Sequence, residues 1–242
     1  MTTTVRVLVV TAVPAERDAV TRAFGAPRVR DVPGAEVHRA GPFDVLAGGA
    51  GPAAAAASTA FALAAAPASE PYGLVVSAGI GGGFAPAAPV GSLVVASGIV
   101  AADLGAETPD GFVPVTGLGF GRDTFLPPAA LVRDVAAATG AVPGPVLTVS
   151  TVTGSAARTA ALLAAHPGAA AEAMEGFGVA EAAGRLGVPV IELRAVSNTV
   201  GPRDRGAWRI GEALAALSGA FGKIAPVVES WTQHDRHDPN RD

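Results

Sequence analysis

Four places in this chain set chemically capable residues at the end of an apolar run: Glu16, Gly79–Gly83, Met174-Glu175 and Ser197-Asn198. In α/β sheets ligands bind beyond the carboxyl ends of strands, so four such ends can converge on one site. Asn198 lies where a strand should end, and its carboxamide can offer one donor and one acceptor to a planar base. Glu175 follows Ala169-Ala170-Ala171-Glu172-Ala173-Met174 and precedes Gly176-Phe177-Gly178. A carboxylate among small apolar residues needs a partner or a ligand; an ordinary helix-start Glu is the alternative. Glu16 sits one turn into a first helix, where most acids merely cap the helix and complement its dipole, and local features favour that plainer role. Glu192 and Arg194, two apart on the same strand face as Asn198, read as a structural ion pair rather than as catalytic groups.

The glycine cluster allows a ligand close to the backbone, but it is a poor dinucleotide loop. Phe84-Ala85-Pro86-Ala87-Ala88-Pro89 follows it, and two prolines disfavour the helix that must hold a pyrophosphate. Asp103 fits the expected ribose-binding acid only loosely, and there is no Gly-Lys-Ser/Thr. A tight loop without a ligand is the other reading. His234-Asp235-Arg236-His237-Asp238 resembles a metal cluster, yet it lies in a polar tail with no core to support it.

The elements that must position these residues follow from periodicity. Apolar runs predict strands at 5–11, 74–78, 92–100, 146–152 and 188–197, with shorter ones near 36–39 and 44–47. Helices are expected from Pro14 through Val20 to Phe24, over 53–66, over 156–165, from Glu175 to Leu186, and from Ala207 to about Lys223 with an extension to Trp231. Buried strands alternating with helices predict one α/β domain, residues 1–231, with a mixed, largely parallel twisted sheet flanked by helices. Residues 232–242 read as a polar, disordered tail.

Composition narrows the function classes. The chain has 242 residues, half of them apolar and 16% charged, a net charge of −4 and no Cys. That excludes disulfides, thiol catalysis and Cys-ligated zinc, and no basic stripe points to nucleic acid. Val5–Val10 is too short for a secretory segment, and the Ala-rich run 53–66 is too short for a bilayer span. The expected location is cytoplasmic, without a membrane partner.

Taken in order, Ser77–Pro86 with Val90–Val95, Ala173-Met174-Glu175-Gly176 and Arg194–Asn198 resemble the nucleoside phosphorylase superfamily, nearest its methylthioadenosine/S-adenosylhomocysteine nucleosidase branch. The similarity runs from about Val5 to Leu217. Asp103-Leu104-Gly105-Ala106-Glu107 and Asn198-Thr199-Val200-Gly201 resemble a narrower group, which in the alternative menaquinone route releases hypoxanthine from a nucleoside with an aromatic 5′-carboxylate. The resemblance implies that Glu16 activates water and that Glu175 binds the ribose hydroxyls above Met174. It also implies that Asn198 contacts the purine and that Val152 and Thr153 line the base, beside a short deletion. Gly79, Ile80 and Ser197 complete the implied substrate-binding set. No metal or organic cofactor is required. Related phosphorylases place an Arg at the position of Ser77 and a hydroxyl at that of Ile80 to hold phosphate, so water is the expected nucleophile. The family implies a homodimer or higher homo-oligomer, with Phe112, Leu118 or Phe120 reaching a neighbouring site. Arg203, Arg205 and Arg209 are candidates for the 5′-carboxylate. The competing expectations are an adenine-releasing nucleosidase and, from another class, a non-catalytic nucleoside sensor.

Overall fold

The computed structural model describes residues 5–32 and 34–234, so most of the expected polar tail and of the 234–238 cluster lies outside the described residues. Twelve strands and six α-helices alternate along the chain: β1 (Arg6–Thr11), α1 (Pro14–Arg22), β2 (Arg28–Val32), β3 (Ala35–Ala40), β4 (Phe43–Ala47), α2 (Pro52–Ala64), β5 (Tyr72–Gly83), β6 (Leu93–Ala101), β7 (Gly105–Thr108), β8 (Gly111–Pro114), β9 (Thr124–Phe125), α3 (Ala129–Thr139), β10 (Val142–Thr148), α4 (Ala156–Ala165), β11 (Ala171–Ala173), α5 (Gly176–Arg185), β12 (Val190–Thr199) and α6 (Ile210–His234). A short 3₁₀ turn, Arg205–Ala207, occupies the start expected for the last helix.

All but two of the strands form one sheet in the order β11-β10-β6-β12-β5-β1-β4-β3-β2, with β9 pairing to β6, while β7 and β8 form a separate hairpin. β1 is buried along its whole length and pairs in parallel with β4 and β5, which explains its uninterrupted apolar run. Its side chains alternate between two cores. Leu8 and Val10 face one core shared with α2 and α5, and Val7 and Val9 face the other, shared with α1, α3 and α6. By length and composition α6 could cross a bilayer, but its Leu217, Phe221, Ile224 and Val228 are packed into that second core.

The sheet is mixed, as expected, but not largely parallel: five of its ten pairings are antiparallel. Nor is it open. β11 pairs with both β10 and the far end of β5, so β5, β12, β6, β10 and β11 close into a ring. The same pairing corrects the reading of the glycine cluster. Gly79–Gly83 is not a loop but the last five residues of β5, which pairs with β12 on one side and, at Gly82 and Gly83, with β11 on the other. Glycine suits that stretch because the two neighbouring strands and their side chains crowd it from both sides.

Candidate active site

A cavity of about 260 Å³ opens over the carboxyl ends of β1, β5, β11 and β12. Glu16, Ile80, Val152, Thr153, Met174, Glu175, Ser197 and Asn198 all border it, so residues up to 182 positions apart in the chain meet there. Gly79 does not border it; its contribution is different and is described below.

Glu16 reaches the cavity because β1 ends at Thr11 and Pro14 opens α1 after only two intervening residues. Val13, at the helix cap, has no polar side chain. The Glu16 carboxylate therefore turns back, its Oε2 accepting the N–H groups of Ala12 at 2.9 Å and Val13 at 3.3 Å. The plain capping role is thus real, but it uses one oxygen. Oε1 accepts the Ile80 N–H of β5 at 2.8 Å, which ties the helix start to the glycine stretch. Glu16 is only 4% exposed. Burial pushes its carboxyl above the ordinary value against the pull of Arg194 and the backbone donors, and neighbouring Glu175 adds to the push. The result is a stronger base than a surface carboxylate.

Arg194 lies beneath both acids, and it is 1% exposed. Its Nε donates to Glu192 at 2.8 Å, Nη1 to Glu175 at 3.2 Å and Nη2 to the Ser77 hydroxyl at 3.0 Å. The expected Glu192–Arg194 pair exists, and it is also the support of the site, because the same guanidinium fixes Glu175. Removing one partner of such a buried pair leaves an uncompensated charge and costs about 3–5 kcal/mol. Glu175 occupies the cap position of α5 without bonding that helix's own N–H groups; it accepts Gly51 N–H at 3.2 Å instead. The helix-start alternative describes its place in the chain but not the direction of its carboxylate.

Gly79 allows Glu16 and Arg194 to approach each other. A Cβ there would stand 2.6 Å from Glu16 Oε1 and 2.7 Å from Arg194 Nη1. Gly79→Ala is therefore expected to displace both groups, with a stability loss of about 1–3 kcal/mol and a fall in kcat larger than that loss implies. Thermal melting alongside steady-state kinetics checks this; unchanged kcat would show that the acids tolerate displacement.

On the opposite wall β12 carries an extra residue at Ser197, between the pairs Val196–Gly81 and Asn198–Gly82. The bulge breaks the simple alternation assumed for Glu192, Arg194 and Asn198, and both Ser197 and Asn198 border the cavity. Asn198 Oδ1 accepts the Ser197 hydroxyl at 2.8 Å and Nδ2 donates to Thr199 C=O at 3.1 Å. One N–H and one lone pair remain for a ligand. Beyond it, β10 stops at Thr148, short of the expected Val152, and residues 149–155 form the loop that brings Val152 and Thr153 to the cavity.

Two features escaped the sequence reading. Glu172 of β11 is buried, borders the cavity and accepts both the N–H (2.8 Å) and the hydroxyl of Thr153. The criterion that singled out Glu175, an acid among small apolar residues, applies equally to Glu172 three positions earlier. The other is Trp208, which borders the cavity beside Arg203, one of the three candidate cations, with that guanidinium 5.3 Å from the indole ring.

A ring-closed α/β sheet with two acids over a buried Arg and a carboxamide opposite defines a class, and the chain belongs to the phosphorylase superfamily, whose family model matches residues 6–228. Within it the chain falls in the futalosine hydrolase family. It is 70% identical to the futalosine hydrolase of Streptomyces coelicolor over 95% of this chain and 99% of that one. It is 44% identical to the futalosine hydrolase of Acidothermus cellulolyticus over 91% and 90%. The fold is also that of the methylthioadenosine/S-adenosylhomocysteine nucleosidase of Neisseria meningitidis, with a TM-score of 0.76, 18% identity, and 94% and 99% of the two chains covered.

Proposed function

We propose that this protein hydrolyses the N-glycosidic bond of futalosine, releasing hypoxanthine and leaving a sugar with a C1′ hydroxyl. The observation that carries the reading is one cavity bordered by Glu16 and Glu175 on one wall and Asn198 on the other. The C1′–N9 bond breaks with its electron pair passing to the purine, which leaves an oxocarbenium-like ribose. Glu16 takes a proton from water as the water oxygen bonds C1′. Glu175, held by Arg194, binds the ribose hydroxyls and keeps the reacting atoms in line. Asn198 stabilises the charge developing on the departing base, which takes a proton from solvent at nitrogen while the proton held by Glu16 returns to solvent. Of the three candidate cations for the 5′-carboxylate, Arg203 is favoured: it borders the cavity and has no acidic partner among the described residues, whereas Arg209 lies 3.8 Å from Glu212.

Water rather than phosphate is the nucleophile in this reading. Ser77 is buried with its hydroxyl accepting from Arg194, and Ile80 brings only a backbone N–H and an apolar side chain. Chromatography of products from futalosine, inosine and methylthioadenosine tests the assignment. Hypoxanthine and free sugar are expected from futalosine, with a rate that phosphate does not raise. Phosphate-dependent turnover, or a ribose 1-phosphate product, overturns the hydrolase reading; adenine release from methylthioadenosine in preference to futalosine favours the nucleosidase alternative; no base release at all leaves the sensor. A cytoplasmic location and a homo-oligomer belong to the same proposal. The exposed Phe112, Leu118 and Phe120 are the surface it assigns to a second copy.

A further inference from the structure

We infer that Glu172 reads the purine, accepting the N1–H that a 6-oxopurine carries and a 6-aminopurine lacks. The inference rests on the 6-oxopurine reading above and adds a residue to which that reading gives no role. Gly82 of β5 is the register partner of Glu172 on β11 and of Asn198 on β12. Glu172 and Asn198 therefore flank one glycine from its two neighbouring strands, with backbones separated by two strand spacings, about 9–10 Å. Directly paired residues project to the same side of a sheet, and both residues border the cavity. At Gly82 itself a Cβ would lie 2.9 Å from Val200 Cγ2 and 3.3 Å from Asn198 Nδ2, so glycine lets Asn198 pack this close to β5.

That span suits a purine edge with a hydrogen bond of about 2.9 Å at each end. N7 and O6 face the carboxamide, and N1 faces the carboxylate. Glu172 is already defined as an acceptor, because the Thr153 N–H and hydroxyl point at its two oxygens. Each oxygen retains a lone pair for a ligand. Hypoxanthine supplies the matching donor at N1. Adenine presents a lone pair there and would leave a buried carboxylate facing an acceptor. The Thr153 contacts also hold the 149–155 loop over the base, so the same carboxylate shapes the cavity and selects what fills it.

The test compares kcat/KM of wild type and Glu172→Gln on futalosine and on its 6-amino analogue. The variant is expected to lose about 10- to 100-fold on futalosine while holding or gaining on the analogue, because a Gln amide can donate to an unprotonated N1. A purely structural role would lower both substrates by the same factor, and an unchanged ratio overturns the inference. If the variant fails to fold, wild-type binding of hypoxanthine and of 1-deazahypoxanthine decides the matter. At least tenfold weaker binding of the deaza base supports the N1 contact, and equal binding refutes it. These failures leave the hydrolase reading standing, whereas a wild type that releases no hypoxanthine from futalosine removes both.

Discussion

Glu16→Gln is expected to lower kcat by about 10²–10⁴-fold while KM moves far less, since the change removes the base and leaves the ribose and purine contacts in place. The geometry adds a second expectation. Both carboxylate oxygens accept backbone N–H groups, Oε2 from Ala12 and Val13 and Oε1 from Ile80. A Gln side chain can satisfy only one end, and its NH₂ must then oppose an N–H at the other. A stability loss of about 1–3 kcal/mol should accompany the loss of rate. In wild type, kcat/KM should fall on the acid side as Glu16 takes up a proton. Because burial raises its carboxyl, that fall is centred above the ordinary value of 4.5. The pH–rate profile and denaturant titration of both proteins check these points together. Turnover within threefold of wild type would show that Glu16 serves only as the cap of α1.

Asn198→Asp is expected to narrow or reverse the preference for a 6-oxo base. The wild-type carboxamide has one N–H and one lone pair uncommitted, because Ser197 and Thr199 occupy the rest. The free N–H suits a 6-oxo group, and the carbonyl can accept the proton that arrives on N7. A protonated Asp in that place donates to N7 and accepts from a 6-amino group, the opposite arrangement. Sites built on such bonds discriminate by up to about 10⁴–10⁵, since the wrong base leaves buried polar groups unpaired. The measurement is kcat/KM for futalosine and its 6-amino analogue with both proteins. Equal use of the two bases by wild type would mean that Asn198 does not read the purine.

Most of the framework could be read from the chain because buried strands write long apolar runs. β1, β5, β6 and β12 fall within a few residues of the expected 5–11, 74–78, 92–100 and 188–197. The helix over 156–165 matches α4, where Ser155 caps the first turn. What was missed writes a weaker pattern. β2 is an edge strand of alternating charges, Arg28-Val29-Arg30-Asp31-Val32, with no apolar face to betray it. β11 is three residues long, and its existence depends on partners that no local pattern names. α3 lies outside the expected helices although its Leu131, Val132 and Val135 fall at helical spacing in an Ala-rich stretch. At the site, types and strand ends marked Glu16, Glu175 and Asn198. Which oxygen meets which N–H depends on strand register, and so does the approach of Glu172 to the Gly82 floor. The bulge at Ser197 is a tertiary adjustment that alternation cannot foresee.

The closure of β11 onto β5 has a consequence for how the molecule acquires its activity. It joins segments about 90 residues apart in the chain, and β12 must insert beside the same strand from farther still. Contacts of such sequence separation carry a large loop-closure cost and form slowly. Helices and the parallel pairing of β1 with its neighbours can form while the ring is still open. Until it closes, Glu172 and Asn198 have no common floor and Arg194 has no second acid to hold. Refolding should therefore restore helical signal first and turnover later, with catalytic competence reporting the last large step of folding.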